Sequence, residues 1–190
     1  MLSGPSGVGK DMVLTRMKEL GRPLHYTVTA TARPQRETEK DGIDYHFLSP
    51  AKFEEMIARG ELLEWAKVYG HYYGVPREQV KQALERGLDV IIKVDVQGAA
   101  TIKEAAPQAI LLFLTAPSME ELEERLKQRK TESGIDLNLR LEMASEEMKR
   151  LPFFDYVVVN RQNQVDHAVA AIDAIIRAEK CRVNPRVVEL

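Results

Sequence analysis

Gly4 to Lys10 read GPSGVGK, and this heptapeptide decides how the rest of the chain is understood. Its glycines let the backbone turn so that successive N–H groups point inward at an anion, while the closing lysine supplies the compensating charge. The stretch that follows, DMVLTRMKEL, has a helical pattern. Glycine density, spacing and this succession identify a loop that wraps the phosphates of a nucleotide, which is more specific than a lone glycine fingerprint.

Working outward, 190 residues suffice for one good core with attached lobes. The chain is 44% hydrophobic and 29% charged, as ordinary globular proteins are. Its longest apolar stretch, Ala109 to Ala116, is too short to cross a bilayer, so no membrane association is expected. The single cysteine, Cys181, fits a reducing compartment, and the cytoplasm is the expected location. A formal net charge of −2 gives no global pull toward nucleic acid, so any anion site must be local.

Short β-rich runs alternate with amphipathic stretches, which predicts an α/β fold: a mostly parallel central sheet in a three-layer α/β/α arrangement. Strands are predicted at Tyr26 to Ala30, Asp89 to Val96, Ala109 to Thr115 and Asp155 to Val159. Ser49-Pro50 before Gly60 and Pro76 before Gly87 mark two helices, with proline at the start and glycine past the end. Ser118 with Glu121 caps a charged helix running to about Lys130, and Val165 to Ile176 form a closing amphipathic helix whose stripe is core. Between Ala30 and Val75 turn-rich segments suggest an inserted lobe. The polar stretch around Gly134 looks like a mobile tip.

Two features near the loop stand out. Asp11 occupies the position where a Ser or Thr hydroxyl normally holds magnesium, and we expect its carboxylate to take that role, since the ion prefers oxygen ligands. Asp95, read as the end of the apolar strand DVIIKVDVQG, is the second expected magnesium ligand. Only Met1 and Leu2 precede Ser3-Gly4, so residues are expected to be missing from the start.

Together with the loop, TATARPQR (Thr29 to Arg36), GIDYHF (Gly42 to Phe47), LLEWAKVYGHYYG (Leu62 to Gly74), VDVQGA (Val94 to Ala99) and RLKQRKTE (Arg125 to Glu132) resemble guanylate kinase. The match spans nearly the whole chain. The resemblance implies a single domain with a core at 1–28, 76–118 and 146–190, a GMP-binding lobe at 29–75 and a lid at 119–145. It implies transfer of the terminal phosphoryl group of ATP to GMP with Mg²⁺, by a monomer or homodimer.

It also implies roles for single residues. Gly4, Pro5, Ser6, Gly7, Val8, Gly9, Lys10, Asp11, Arg125 and Asn160 would line the ATP site. Arg33 and Arg36 match the clamp on the GMP phosphate, for which guanidinium forks are suited. Tyr45 and Tyr73 match tyrosines that donate to the same phosphate. Glu64 matches the carboxylate that accepts from guanine, Thr29 matches a hydroxyl residue touching the base, and Asp95 is also counted on the GMP side. Val75 stands where the family usually has a Ser or Thr, and Lys93 where it commonly has an acid. Arg161-Gln162 replace the acids usual beside the adenine site. Arg125, Arg129 and Arg140 match the lid, and Lys10, Arg33, Arg129 and Arg140 are the expected catalytic cations.

The acceptor is an ionised phosphate monoester, so catalysis is expected to reduce to alignment and charge neutralisation without a general base. The loop and the Arg33/Arg36 fork are expected to face each other across a cleft that closes on binding. Two rivals are a kinase of another phosphorylated acceptor, such as a ribose bisphosphate, and a non-catalytic interaction module of guanylate kinase shape. The intact loop speaks against the module, and Glu64 with Tyr73 against the other kinase.

Overall fold

The computed structural model describes residues 1–68, 70–128 and 137–190. The chain divides into two compact units. One comprises Met1–Arg22, Val94–Val96 and Gln108–Val187; the other comprises Pro23–Lys93, Gln97–Pro107 and Val188–Leu190.

In the first unit, β1 (Leu2–Ser3), β8 (Leu112–Thr115) and β9 (Tyr156–Val159) form a parallel sheet in the order β1-β8-β9. Every residue of β8 is buried, as the central strand of a parallel sheet requires. Leu2, Phe113 and Leu114 meet no solvent, and nor do Val13 and Met17 on α1 (Lys10–Glu19). α7 (Val165–Lys180) buries Ala168, Val169 and Ile172, so the predicted stripe is core. α5 (Met119–Gln128) starts at its predicted cap, where the Glu121 N–H donates to Ser118 Oγ at 3.3 Å. α6 (Leu137–Met148) completes this unit's long helices. The stretch 129–136, with the expected tip around Gly134, lies outside the described residues.

The second unit holds two sheets. β2 (Leu24–Tyr26) pairs in parallel with β7 (Asp89–Ile91). β3 (Ala30–Thr31), β4 (His46–Phe47), β5 (Leu62–Val68) and β6 (His71–Pro76) form a mixed sheet in the order β4-β3-β6-β5. α2 (Pro50–Ala58) begins where predicted, with Ser49 Oγ accepting from the Lys52 N–H at 3.2 Å. It presses Phe53 onto Ala30 and Leu62, and the Phe53 ring stacks on Tyr72 at 5.2 Å. α3 (Arg77–Glu85) and α4 (Val96–Ala105) are the other helices. No helix among the described residues is long and apolar enough to cross a membrane.

Three predicted boundaries are corrected. The strand expected over Asp89 to Val96 ends at Ile91, and Asp95 sits in the link just before α4, tied back by a hydrogen bond from Val94 N–H to Leu2 C=O at 3.2 Å. The run Tyr26 to Ala30 contains the end of β2 and the start of β3 rather than one strand, because its hydrogen bonds go to two sheets. Pro76 precedes α3 as its cap instead of opening the first turn.

Candidate active site

The first unit builds an anion cradle around the turn from β1 into α1. Gly4, at φ 130°, lies so close to β8 that an added Cβ would sit 2.0 Å from the Leu114 carbonyl oxygen. Only glycine fits there. Gly9 caps α1 at φ 93°, and a Cβ on it would meet Asn160 Nδ2 at 2.5 Å. The positive end of the helix therefore opens onto the loop, where it favours bound anions.

Lys10 Nζ donates to the carbonyls of Gly4 at 2.5 Å and Pro5 at 3.0 Å, folding its ammonium back over the loop. Buried Asn160 donates from Nδ2 to the Val8 carbonyl at 2.8 Å, and its Oδ1 has no hydrogen-bond partner among the described residues. Arg125 forms an ion pair with Glu121 and donates to the Asn160 carbonyl at 2.7 Å. Arg140, 8% exposed, donates to Ser6 Oγ at 3.3 Å. Two helices thus bring an arginine each to the cradle. Arg129 lies outside the described residues.

Three acids belong to the same unit. Asp11 is exposed in the first turn of α1 and Asp95 is half-buried. Glu147, on α6, accepts from the Ser6 N–H at 3.4 Å. Burial pushes the Glu147 carboxyl up; the Lys10 charge and the Ser6 N–H oppose this, and the Asp95 charge adds to it. Sequence reading passed over Glu147 because Glu142 and Glu146 on the same helix give no sign of which acid turns inward.

The second unit gathers the residues expected to hold a mononucleotide. The turn before β4 is shaped by its own acids: Asp44 Oδ2 accepts from the Lys40 N–H at 2.8 Å, and Asp41 Oδ1 from the Phe47 N–H at 2.9 Å. This places Tyr45 beside Tyr73, with ring centroids 6.1 Å apart. The Arg33 guanidinium lies 4.9 Å from the Tyr45 ring centre and 5.4 Å from that of Phe47. Arg33 is also bound through both terminal nitrogens to the Glu39 carboxylate, at 2.7 and 2.5 Å. That bond holds Arg33 above its ordinary pKa, with the Tyr73 hydroxyl acting in the same direction. Burial pushes the Glu39 carboxyl up, but the bonds from Arg33 and from the Arg36 N–H outweigh it and leave the group below the usual carboxylate range. The Arg36 side chain itself is exposed. Glu39 is a member of this cluster that sequence reading missed; opposite charges within RPQRETEK were its only signal.

Thr29, Glu64 and Val75 are more deeply buried. Glu64 on β5 pairs in register with Val75 on β6; they are 7% and 0% exposed. Thr29 Oγ1 is buried with no hydrogen-bond partner among the described residues. The Gln79 amide fixes the neighbouring backbone, accepting from the Val28 N–H at 2.9 Å and donating to its carbonyl at 2.7 Å. A buried hydroxyl without a partner costs on the order of 1–3 kcal/mol, which a bound ligand would recover.

The guanylate kinase family model matches residues 1–179 of this chain. The chain belongs to the guanylate kinase family. It is 47% identical over 191 residues to guanylate kinase 2, chloroplastic/mitochondrial, of Oryza sativa subsp. japonica, across 100% of this chain and 67% of the relative. It is 45% identical over 184 residues to guanylate kinase of Caldanaerobacter subterraneus subsp. tengcongensis, across 97% of this chain and 88% of the relative. The crystal structure of guanylate kinase from Anaplasma phagocytophilum superposes with a TM-score of 0.76 at 30% identity, covering 96% of this chain and 85% of that one. Family membership makes the α/β fold with mostly parallel pairing that of a P-loop kinase, with an enzyme's loop intact.

Proposed function

We propose that the chain transfers the γ-phosphoryl group of ATP to GMP, giving ADP and GDP. The observations that carry the acceptor are the buried Glu64 carboxylate and the buried Thr29 hydroxyl, which has no hydrogen-bond partner among the described residues. Guanine presents its N1–H and exocyclic amino group as adjacent donors on one edge; adenine does not. Glu64 accepts from that pair and Thr29 adds a contact to the base, while Val75 contributes shape only.

Arg33, Arg36, Tyr45 and Tyr73 hold the GMP phosphate, the arginine fork supplying charge and the phenols direction. On the donor side, Gly4 to Gly9 offer backbone to the ATP phosphates, Lys10 turns from its own carbonyls to their oxygens, and Asn160 borders the adenine. Arg125, Arg140 and Arg129 complete the neutralisation from the proposed lid. Magnesium in phosphate sites keeps several waters and takes one or two carboxylates, and Asp95 and Asp11 are the carboxylates that would hold it. When bound, the ion offsets charge on the transferring group. No side chain needs to abstract a proton, because the attacking phosphate is already ionised. We place the reaction in the cytoplasm.

The test is release of ADP with GMP, AMP, dGMP and ribose phosphates offered in turn. GMP is the expected substrate, and Glu64→Gln should lower the preference for GMP over AMP by about 100-fold. If Glu64→Gln leaves that preference intact, guanine recognition belongs to other residues.

A further inference from the structure

Lys93 lies two residues beyond the end of β7, at the position where the family resemblance leads one to expect an acid. Its ammonium donates to the Tyr45 hydroxyl oxygen at 3.0 Å and lies 4.7 Å from the centre of that ring. The Arg33 guanidinium stands 4.9 Å from the same ring centre, so two cations flank one phenol.

A phenol has one proton to give and lone pairs to receive. Lysine can only donate, so its bond to Tyr45 Oη uses a lone pair and leaves the tyrosine proton uncommitted. Among the described residues, no acceptor takes that proton. Accepting from a cation also polarises the O–H and strengthens it as a donor. A carboxylate at position 93 would do the opposite: it would accept the phenol's proton and consume the donor.

We infer that Lys93 is a positioning residue for the acceptor: it holds Tyr45 by its oxygen so that the phenol must donate outward, to a phosphate oxygen of the bound mononucleotide. This rests on the proposed reading of Tyr45 as a phosphate contact. It assigns Lys93 a role in acceptor affinity and none in donor affinity.

The experiment is a double-mutant cycle of Lys93→Met and Tyr45→Phe, read as KM for GMP, KM for ATP, and GMP binding by calorimetry without ATP. Loss of a charge-assisted bond predicts that Lys93→Met raises KM and Kd for GMP about tenfold, with KM for ATP unchanged within about twofold. In the Tyr45→Phe background the same substitution should add less than about twofold, because its target is gone. Lys93→Arg should recover most of the loss, and Lys93→Glu should be worse than Lys93→Met. If Lys93→Met does not fold, Lys93→Gln carries the same cycle, with a smaller rise expected only when Tyr45 is present. Equal rises in both backgrounds, or no rise in GMP KM, overturn the inference. If Tyr45→Phe alone leaves GMP affinity unchanged, the reading of Tyr45 fails first and takes the inference with it, a result distinct from an uncoupled Lys93.

Discussion

The two candidate regions, one in each compact unit, are made of different material. Around GPSGVGK the contacts run mostly to main-chain atoms: Lys10 to the Gly4 and Pro5 carbonyls, Asn160 to that of Val8, and Gly4 against that of Leu114. In the acceptor cluster the cations are tied chiefly to other side chains, Arg33 to Glu39 and Lys93 to Tyr45. Backbone constrains volume and is indifferent to side-chain charge. Side-chain pairs tolerate some volume but depend on each partner's charge and reach. The first half should therefore fail by steric intrusion and the second by unpairing.

Gly4→Ala should do the most damage. It puts a Cβ 2.0 Å from a carbonyl oxygen at a positive φ, and a loss of at least about 3 kcal/mol is expected. At this chain length that corresponds to a Tm lower by roughly 6–12 °C, with ATP saturation lost. A Gly4→Ala protein that melts within about 2 °C of the parent and binds ATP normally would break the steric half of the comparison.

Glu39→Gln comes second and probes unpairing. Arg33 loses its bidentate holder, so KM for GMP should rise about five- to tenfold while KM for ATP stays within about twofold. The pH dependence has a definite sign. Glu39 has a depressed pKa in the folded protein, so its stabilisation is complete above the ordinary carboxylate value of about 4.3 and is lost as pH falls through the lower folded value. Melting curves of parent and Glu39→Gln should differ at neutral pH and converge in that acid window. A constant offset down to the acid limit would remove the ion pair from the account.

Val75→Ser should have the smallest functional effect. The side chain is fully buried opposite Glu64, so the substitution should cost about 1–2 kcal/mol in a thermal melt. It should move the calorimetric GMP affinity by less than about threefold. A larger tightening would show that a hydroxyl at this position reaches the base, and would sharpen the division between shape and charge in the acceptor half.

The same division explains what could be read from the sequence. The loop was legible because glycines encode backbone conformation directly, and α2 because Ser49-Pro50 is a local capping signal. The end of β7 was not, since a short apolar run such as IIKVDV fits strand or helix equally and α4 takes over at Val96. In the acceptor half, the family resemblance pointed to Arg33, Tyr45 and Glu64, but pairing depends on distance in space. Lys93 was noticed as unusual, yet its partner is 48 residues away in the chain. Glu147 was invisible because nothing in a run of surface-like acids marks the one that turns toward Ser6.

The bond between Arg33 and Glu39 bears on behaviour among the many anions of a living cell. An arginine already satisfied by a carboxylate gives a passing polyanion little to gain, since that visitor must compete with a bidentate partner held a few residues along the same chain. On the proposed function, only a molecule that also engages the neighbouring phenols would repay the exchange, and the lobe would resist bulk phosphate by staying occupied with itself.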